Sequence, residues 1–156
     1  MIEIERKFLV NSQDFIADSH LQTRIVQGFL NTHPDRTVRV RLKGDKGFLT
    51  VKGRSSSDGV SRFEWEKEIS KKDAEALLKI CETGVIDKIR YEVQVGDHVF
   101  EVDVFLEDNE GLIIAEVELN HQDEVYNIPK WLGQEVTGDE RYYNSQLSLY
   151  PYKSWS

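Results

Sequence analysis

The feature that most constrains this chain is a set of same-sign charges spaced two residues apart on segments that alternate like β-strands. In a strand, residues i and i+2 project to the same side, roughly 7 Å apart. Glu3 with Glu5, Glu101 with Asp103, and Glu116 with Glu118 are acid-x-acid pairs, whereas Arg39 with Arg41, and Lys88 with Arg90, are base-x-base pairs. Lys7 and Lys52 add same-face cations. Taken singly, each pair reads as the wet face of an amphipathic antiparallel strand. An ordinary surface, however, intersperses its signs to limit repulsion, and here five strands each carry like charges side by side. If those faces line a closed barrel, the repulsion needs counter-charges: divalent cations for the carboxylates and a polyanion for the arginines and lysines. Metal plus basic clamp around an anion is the arrangement of phosphoryl-transfer sites.

The strands carrying these pairs are legible from period-2 patterning. Met1–Val10 sets Ile2, Ile4 and Phe8 against Glu3, Glu5 and Lys7, and Thr37–Lys43 sets Val38, Val40 and Leu42 against Arg39, Arg41 and Lys43. The run Gly44–Gly47 turns the chain into Phe48–Gly53, and the polar stretch Arg54–Gly59 reads as a loop before Arg62–Ile69. Ser70 is a good N-cap with Asp73 three residues on, and Ala74, Leu77, Leu78 and Cys81 keep helical spacing up to a stop at Gly84. Strands resume at Ile86–Val95, His98–Phe105 and Leu112–Leu119. The tail predicts short helices near Asp123–Leu132 and Tyr142–Leu149, around a Gly133–Gly138 loop. About eight strands against about three helices, with no repeat or linker, predict one α+β domain spanning residues 1–156.

Composition narrows the partners. With 28 acidic and 20 basic residues the formal charge is −8, which argues against nucleic acid or an anionic membrane surface as partner. One cysteine, no long apolar run and a charged start without a signal-peptide pattern predict a cytoplasmic protein. His20, His33, His98 and His121 lack zinc spacing, and the Ser55–Ser57 loop has no P-loop pattern. Trp65, Trp131 and Trp155 read as packing residues and Cys81 as a small hydrophobe.

Several segments are recognisable in order. Glu3-Ile4-Glu5-Arg6-Lys7 resembles the Glu-x-Glu-x-Lys opening of the CYTH family, the triphosphate tunnel metalloenzymes. Arg39-Val40-Arg41, Thr50-Val51-Lys52-Gly53, Lys88-Ile89-Arg90-Tyr91, Glu101-Val102-Asp103 and Glu116-Val117-Glu118 are similar to its later strand motifs. Gly138-Asp139-Glu140-Arg141-Tyr142-Tyr143-Asn144 resembles the lead-in to its C-terminal helix.

The resemblance implies an eight-stranded antiparallel tunnel with helices outside, acting with magnesium or manganese on inorganic tripolyphosphate or another triphosphate. Carried over by position, Glu3, Glu5, Glu116 and Glu118, with Asp103 nearby, would be metal ligands. Arg39, Arg41, Lys52, Lys88 and Arg90 would hold phosphates, with Lys7 and Lys88 as proton-transfer candidates. The segment Gln27-Gly28-Phe29-Leu30 departs from the family's Gln-Gly-Tyr-Leu, and Phe29 has no hydroxyl to act as a base. Two alternatives stay open: a class IV adenylyl cyclase, and a non-catalytic triphosphate sensor. The oligomeric state is open too, a homodimer among the expectations.

Overall fold

Alternation along each strand makes a sheet that curls until its ends meet. A computed structural model describes residues 1–155. The strands are β1 (Ile2–Val10), β2 (Leu21–Asn31), β3 (Arg36–Lys43), β4 (Lys46–Ser55), β5 (Ser61–Ile69), β6 (Ile86–Val95), β7 (His98–Phe105), β8 (Ile113–Glu118) and β9 (Leu132–Glu135). Three helices accompany them: α1 (Phe15–Asp18), α2 (Lys71–Leu78) and α3 (Asn144–Leu149). The barrel runs β5-β4-β3-β2-β6-β7-β8-β1 and closes where Ile2 and Glu3 of β1 face Phe63 and Arg62 of β5. Further along, Phe8 and Val10 of β1 pair instead with Glu135 and Leu132 of β9. The expected eight-stranded antiparallel barrel is present, with a ninth strand extending it.

This barrel carries its hydrophobic core on the outside. Phe8, Val93, Phe100, Val102, Ala115 and Val117 alternate with the charged positions and pack outward against Phe15 of α1 and Trp131. Phe15 meets Tyr91 and Trp131 edge to face at 5.4 and 5.9 Å between ring centroids. Burial of each such side chain contributes about 1.5–3 kcal/mol. A second apolar cluster of Ile86, Phe105, Leu112, Ile114, Tyr142 and Leu147 joins one end of the barrel to α3. Phe105 shares a face with Asp103, and Ile114 with Glu116, so the inner wall passes from charged to apolar as it approaches that end.

Helix α2 lies across β3 and β4. Ser70 Oγ accepts a hydrogen bond from the Asp73 amide at 3.0 Å, the expected cap. Ala74 then sits so close to Gly47 that a Cβ there would lie 2.7 Å from the Ala74 Cβ, which is why that strand position lacks a side chain. The helix ends at Leu78, so Cys81 follows it and half-buried packs over Gly28.

The tail differs from the sequence expectation. Asp123–Leu132 forms no helix; the chain runs irregularly to Pro129 and then enters β9. Tyr126 and Trp131 draw this segment flat against Phe100, at 6.3 and 5.7 Å between ring centroids, and Pro129 lacks the amide a helix would use. The Tyr142–Leu149 helix resolves into a 3-10 turn over Glu140–Tyr142 followed by α3. Strand β2 and helix α1 complete the set beyond the elements that the pattern predicts. No helix among the described residues is long and apolar enough to cross a membrane.

Candidate active site

The inward faces of the barrel enclose a cavity of about 250 Å3. Ten of the residues expected at the site line it: Glu3, Glu5 and Lys7 from β1, Arg39 and Arg41 from β3, Lys52 from β4, Lys88 and Arg90 from β6, and Glu116 and Glu118 from β8. Closure is what brings them together, because register places Glu5 opposite Glu118, Lys7 opposite Glu116, and Glu101 opposite Glu116. In two of these pairs like charges face each other across strands, where ordinary sheets avoid them, while Lys7 answers Glu116.

On the acidic side, burial and neighbouring charges split the carboxyl groups into raised and lowered members. Burial pushes the Glu5 carboxyl well above the usual range, reinforced by Glu116 and Glu3. Burial acts on Glu116 in the same direction, yet Lys7 and the hydrogen bond from Glu5 hold it well below that range. Burial and acidic neighbours thus favour the protonated form of Glu5, and Lys7 the ionised form of Glu116. Glu64 and Glu3 repeat the arrangement: burial and the proximity of Glu3 raise Glu64, while Lys52 and Glu64 offset burial and lower Glu3. Lys52 Nζ bridges them, 2.9 Å from Glu3 and 3.2 Å from Glu64. Glu118, half-exposed at its rim, is raised by burial and by Glu3 and Glu101.

The basic side is frustrated in the complementary sense. Arg41 is buried, forms no ion pair among the described residues, and donates its Nε to Gln27 Oε1 at 3.1 Å. Burial, with Arg39 and Arg90 nearby, pushes its guanidinium down to about 9. Arg39 is lowered by burial and by Arg90 despite Glu66, and its Nε is buried without an acceptor among the described residues. Arg39 still reaches Glu66 through Nη2 at 3.4 Å, so its guanidinium is satisfied on one side only.

Asp103 stands apart from the other carboxylates. It is 1% exposed, and Arg90 binds it in bidentate fashion at 2.8 and 2.9 Å while Lys88 Nζ lies 2.8 Å away. Its oxygens are committed to those cations rather than open to the cavity, unlike the expectation that placed it beside the metal. Burial pushes Asp103 up, but Arg90 and Lys88 reverse this and hold it at about 2. Burial lowers Lys88 to about 7 even beside Asp103, because Arg90 and Arg41 repel its charge.

Arg62 of β5 also reaches the cavity, as do Thr137, Tyr143 and Asn144, which the charge pattern did not mark. The Tyr143 ring lies 5.2 Å from Lys7 Nζ and 6.0 Å from the Arg62 guanidinium. Of the β5 acids, Glu64 and Glu66 line the cavity whereas Glu68 is exposed, so only part of that face completes the acidic wall. Phe29 also lines the wall, directly across from Arg39 in the β2–β3 register.

A closed antiparallel barrel with a sorted-charge interior is thus built from the segments that carry the motifs. The CYTH domain profile matches residues 1–148. The chain belongs to the CYTH domain family. Among its CYTH relatives, the inorganic triphosphatase of Acetivibrio thermocellus is 46% identical over 156 residues, covering 98% of this chain and 97% of the relative. The inorganic triphosphatase of Nitrosomonas europaea is 38% identical over 154 residues, covering 96% and 98%. The crystal structure of the inorganic triphosphatase NE1496 superposes with a TM-score of 0.67 at 34% identity, covering 94% of this chain and 97% of that one.

Glu5, Glu116 and Glu118 line the cavity with oxygen donors of the kind that a hard divalent cation would take. Among the described residues, no three acidic or histidine side chains already converge into a ready cage.

Proposed function

We propose that this chain hydrolyses inorganic tripolyphosphate with the help of magnesium or manganese, a soluble cytoplasmic activity on a small molecule. The observation that carries the reading is one cavity with a buried Arg41 that has no ion-pair partner among the described residues and an Arg39 whose Nε is unsatisfied on one wall, and acidic residues paired against each other on the other. A linear triphosphate with a divalent ion answers both at once. The curated relatives carry the same activity in their names.

In this reading Arg39, Arg41, Arg90 and Lys52 bind and orient the phosphate chain. Glu5, Glu116 and Glu118, assisted by Glu3, would hold the ion. The bound ion would neutralise charge developing on the phosphate oxygens. Lys88, deprotonated in part at neutral pH because of its burial, takes the proton of the attacking water. The water oxygen bonds to a terminal phosphorus, the bridging P–O bond breaks, and pyrophosphate leaves with the electron pair while Lys7 stabilises its charge. Asp103 positions Lys88 and Arg90. The apolar floor and the closed barrel limit the water that competes for these groups.

Affinity is the direct test of the basic wall. Arg39→Ala and Arg41→Ala should each weaken tripolyphosphate binding by about 1.5–3 kcal/mol, the scale of a charge-assisted hydrogen bond. Isothermal titration showing unchanged affinity in both would mean that these arginines do not meet the substrate. Assays with tripolyphosphate, ATP and thiamine triphosphate, following orthophosphate, pyrophosphate and cyclic AMP, separate triphosphatase from cyclase; binding without any product would make the chain a sensor.

A further inference from the structure

The tunnel's basic wall is anchored from outside the barrel by one amide. Asn144, the first residue of α3, presents Oδ1 to two donors: Lys88 Nζ at 2.8 Å and Gln27 Nε2 at 2.7 Å. Gln27 is fully buried, and its own Oε1 accepts from Arg41 Nε at 3.1 Å. Lys88 in turn meets Asp103, which holds Arg90. The result is a continuous chain of side chains, Arg41–Gln27–Asn144–Lys88–Asp103–Arg90, running from β3 through β2 and α3 to β6 and β7.

Two features make Asn144 the point on which this chain turns. Arg41 has no carboxylate partner among the described residues, so the orientation of its guanidinium depends on the Gln27 amide. That amide is fixed in turn by Asn144: with Nε2 committed to Asn144 Oδ1, Oε1 must face Arg41. A freely rotating Gln27 would as readily turn its NH2 toward the guanidinium, where it would repel rather than accept. Lys88 Nζ likewise gains a second fixed acceptor, which sets where its remaining donor or lone pair points.

We infer that Asn144 is a positioning residue for the hydrolysis, orienting Lys88 directly and Arg41 through Gln27, so that α3 acts as part of the active site's scaffold. This rests on the triphosphatase reading. The alternative is that α3 merely closes the barrel end, where Leu147 is buried and Ser148 Oγ donates to Gly84 O at 2.6 Å. Ser148 touches neither Lys88 nor Gln27 through a hydrogen bond, so Ser148→Ala loosens the same helix without breaking the chain of contacts.

The experiment compares steady-state tripolyphosphate hydrolysis with magnesium for wild type, Asn144→Ala, Asn144→Asp and Ser148→Ala, each at its own pH optimum, alongside thermal unfolding. Asn144→Ala should lower kcat/KM tenfold or more. Asn144→Asp keeps both acceptor contacts but sets a carboxylate beside Lys88, so it should recover activity over the alanine variant with its pH profile moved upward. Ser148→Ala should stay within about threefold of wild type even where it loses as much thermal stability as the alanine variant. Kinetics of Asn144→Ala within threefold of wild type, or an equal loss in Ser148→Ala, would overturn the inference. Should Asn144→Ala fail to fold, Gln27→Met cuts the Arg41 arm alone: a tenfold rise in KM with kcat little changed is expected, and an unchanged KM would overturn the inference. A wild-type chain inactive on tripolyphosphate would contradict the triphosphatase reading itself, before any variant is compared.

Discussion

At the residue scale, Asp103 decides most about the chain's balance of charge. It neutralises two buried cations, and removing one partner of such a group leaves uncompensated charge in a low-dielectric interior. Asp103→Asn is therefore expected to cost about 3–5 kcal/mol of stability by denaturant unfolding; a loss under about 1 kcal/mol would show that water reaches Lys88 and Arg90. The two titrations have opposite signs. Asp103, held at about 2 against an ordinary value of 3.8, contributes stability above pH 3.8 that is lost as pH falls toward 2. Lys88, lowered to about 7 from 10.5, binds its proton more weakly folded than unfolded, so its burial cost is complete below pH 7 and fades as pH rises toward 10.5. Unfolding of the metal-free protein should thus need more urea at pH 9 than at pH 7, and Lys88→Met should flatten that slope. Phe29 tests the base from the other direction. With Lys88 taking the proton, Phe29→Tyr should change the turnover number by less than about tenfold, roughly 1.4 kcal/mol of barrier; a hundredfold gain would show that the chain lacks its base.

At the scale of elements, the strands were legible because two periodicities coincide: apolar residues outward into the core and sorted charges inward. That is why β1 and β3 to β8 follow from patterning, and why ten site residues could be named from alternation and motif order. Segment 123–132 was not legible, because its path is set by Tyr126 and Trp131 packing on Phe100, a contact with another element rather than a local preference. The amide relay was hidden for the same reason. Gln27 and Asn144 are uncharged, stand 117 positions apart, and meet only when α3 docks on the barrel. Asp103 shows the limit of the pairing rule: it shares a face with Glu101, yet lies one step deeper, where cations claim it. Strand β8 offers the complementary prediction. Glu118→Gln removes a carboxyl that burial, Glu3 and Glu101 push up, so metal-free stability should hold or rise while hydrolysis nearly vanishes; retained activity would move the metal elsewhere.

At the scale of the whole molecule, closure of the sheet converts strand faces that would be ordinary wet surfaces into a chamber whose charges have nowhere to go. The core is displaced to the outside, beneath α1, α2 and the C-terminal segment, and the interior is left for a ligand that satisfies both signs. Such a protein should be stabilised when its interior is filled, since anything binding only the folded state raises apparent stability by mass action. The most direct test is phosphate release from tripolyphosphate by the purified chain, with magnesium and then with excess chelator. The account predicts orthophosphate and pyrophosphate with magnesium and no turnover with chelator. Undiminished hydrolysis in chelator, or none with magnesium, would contradict it.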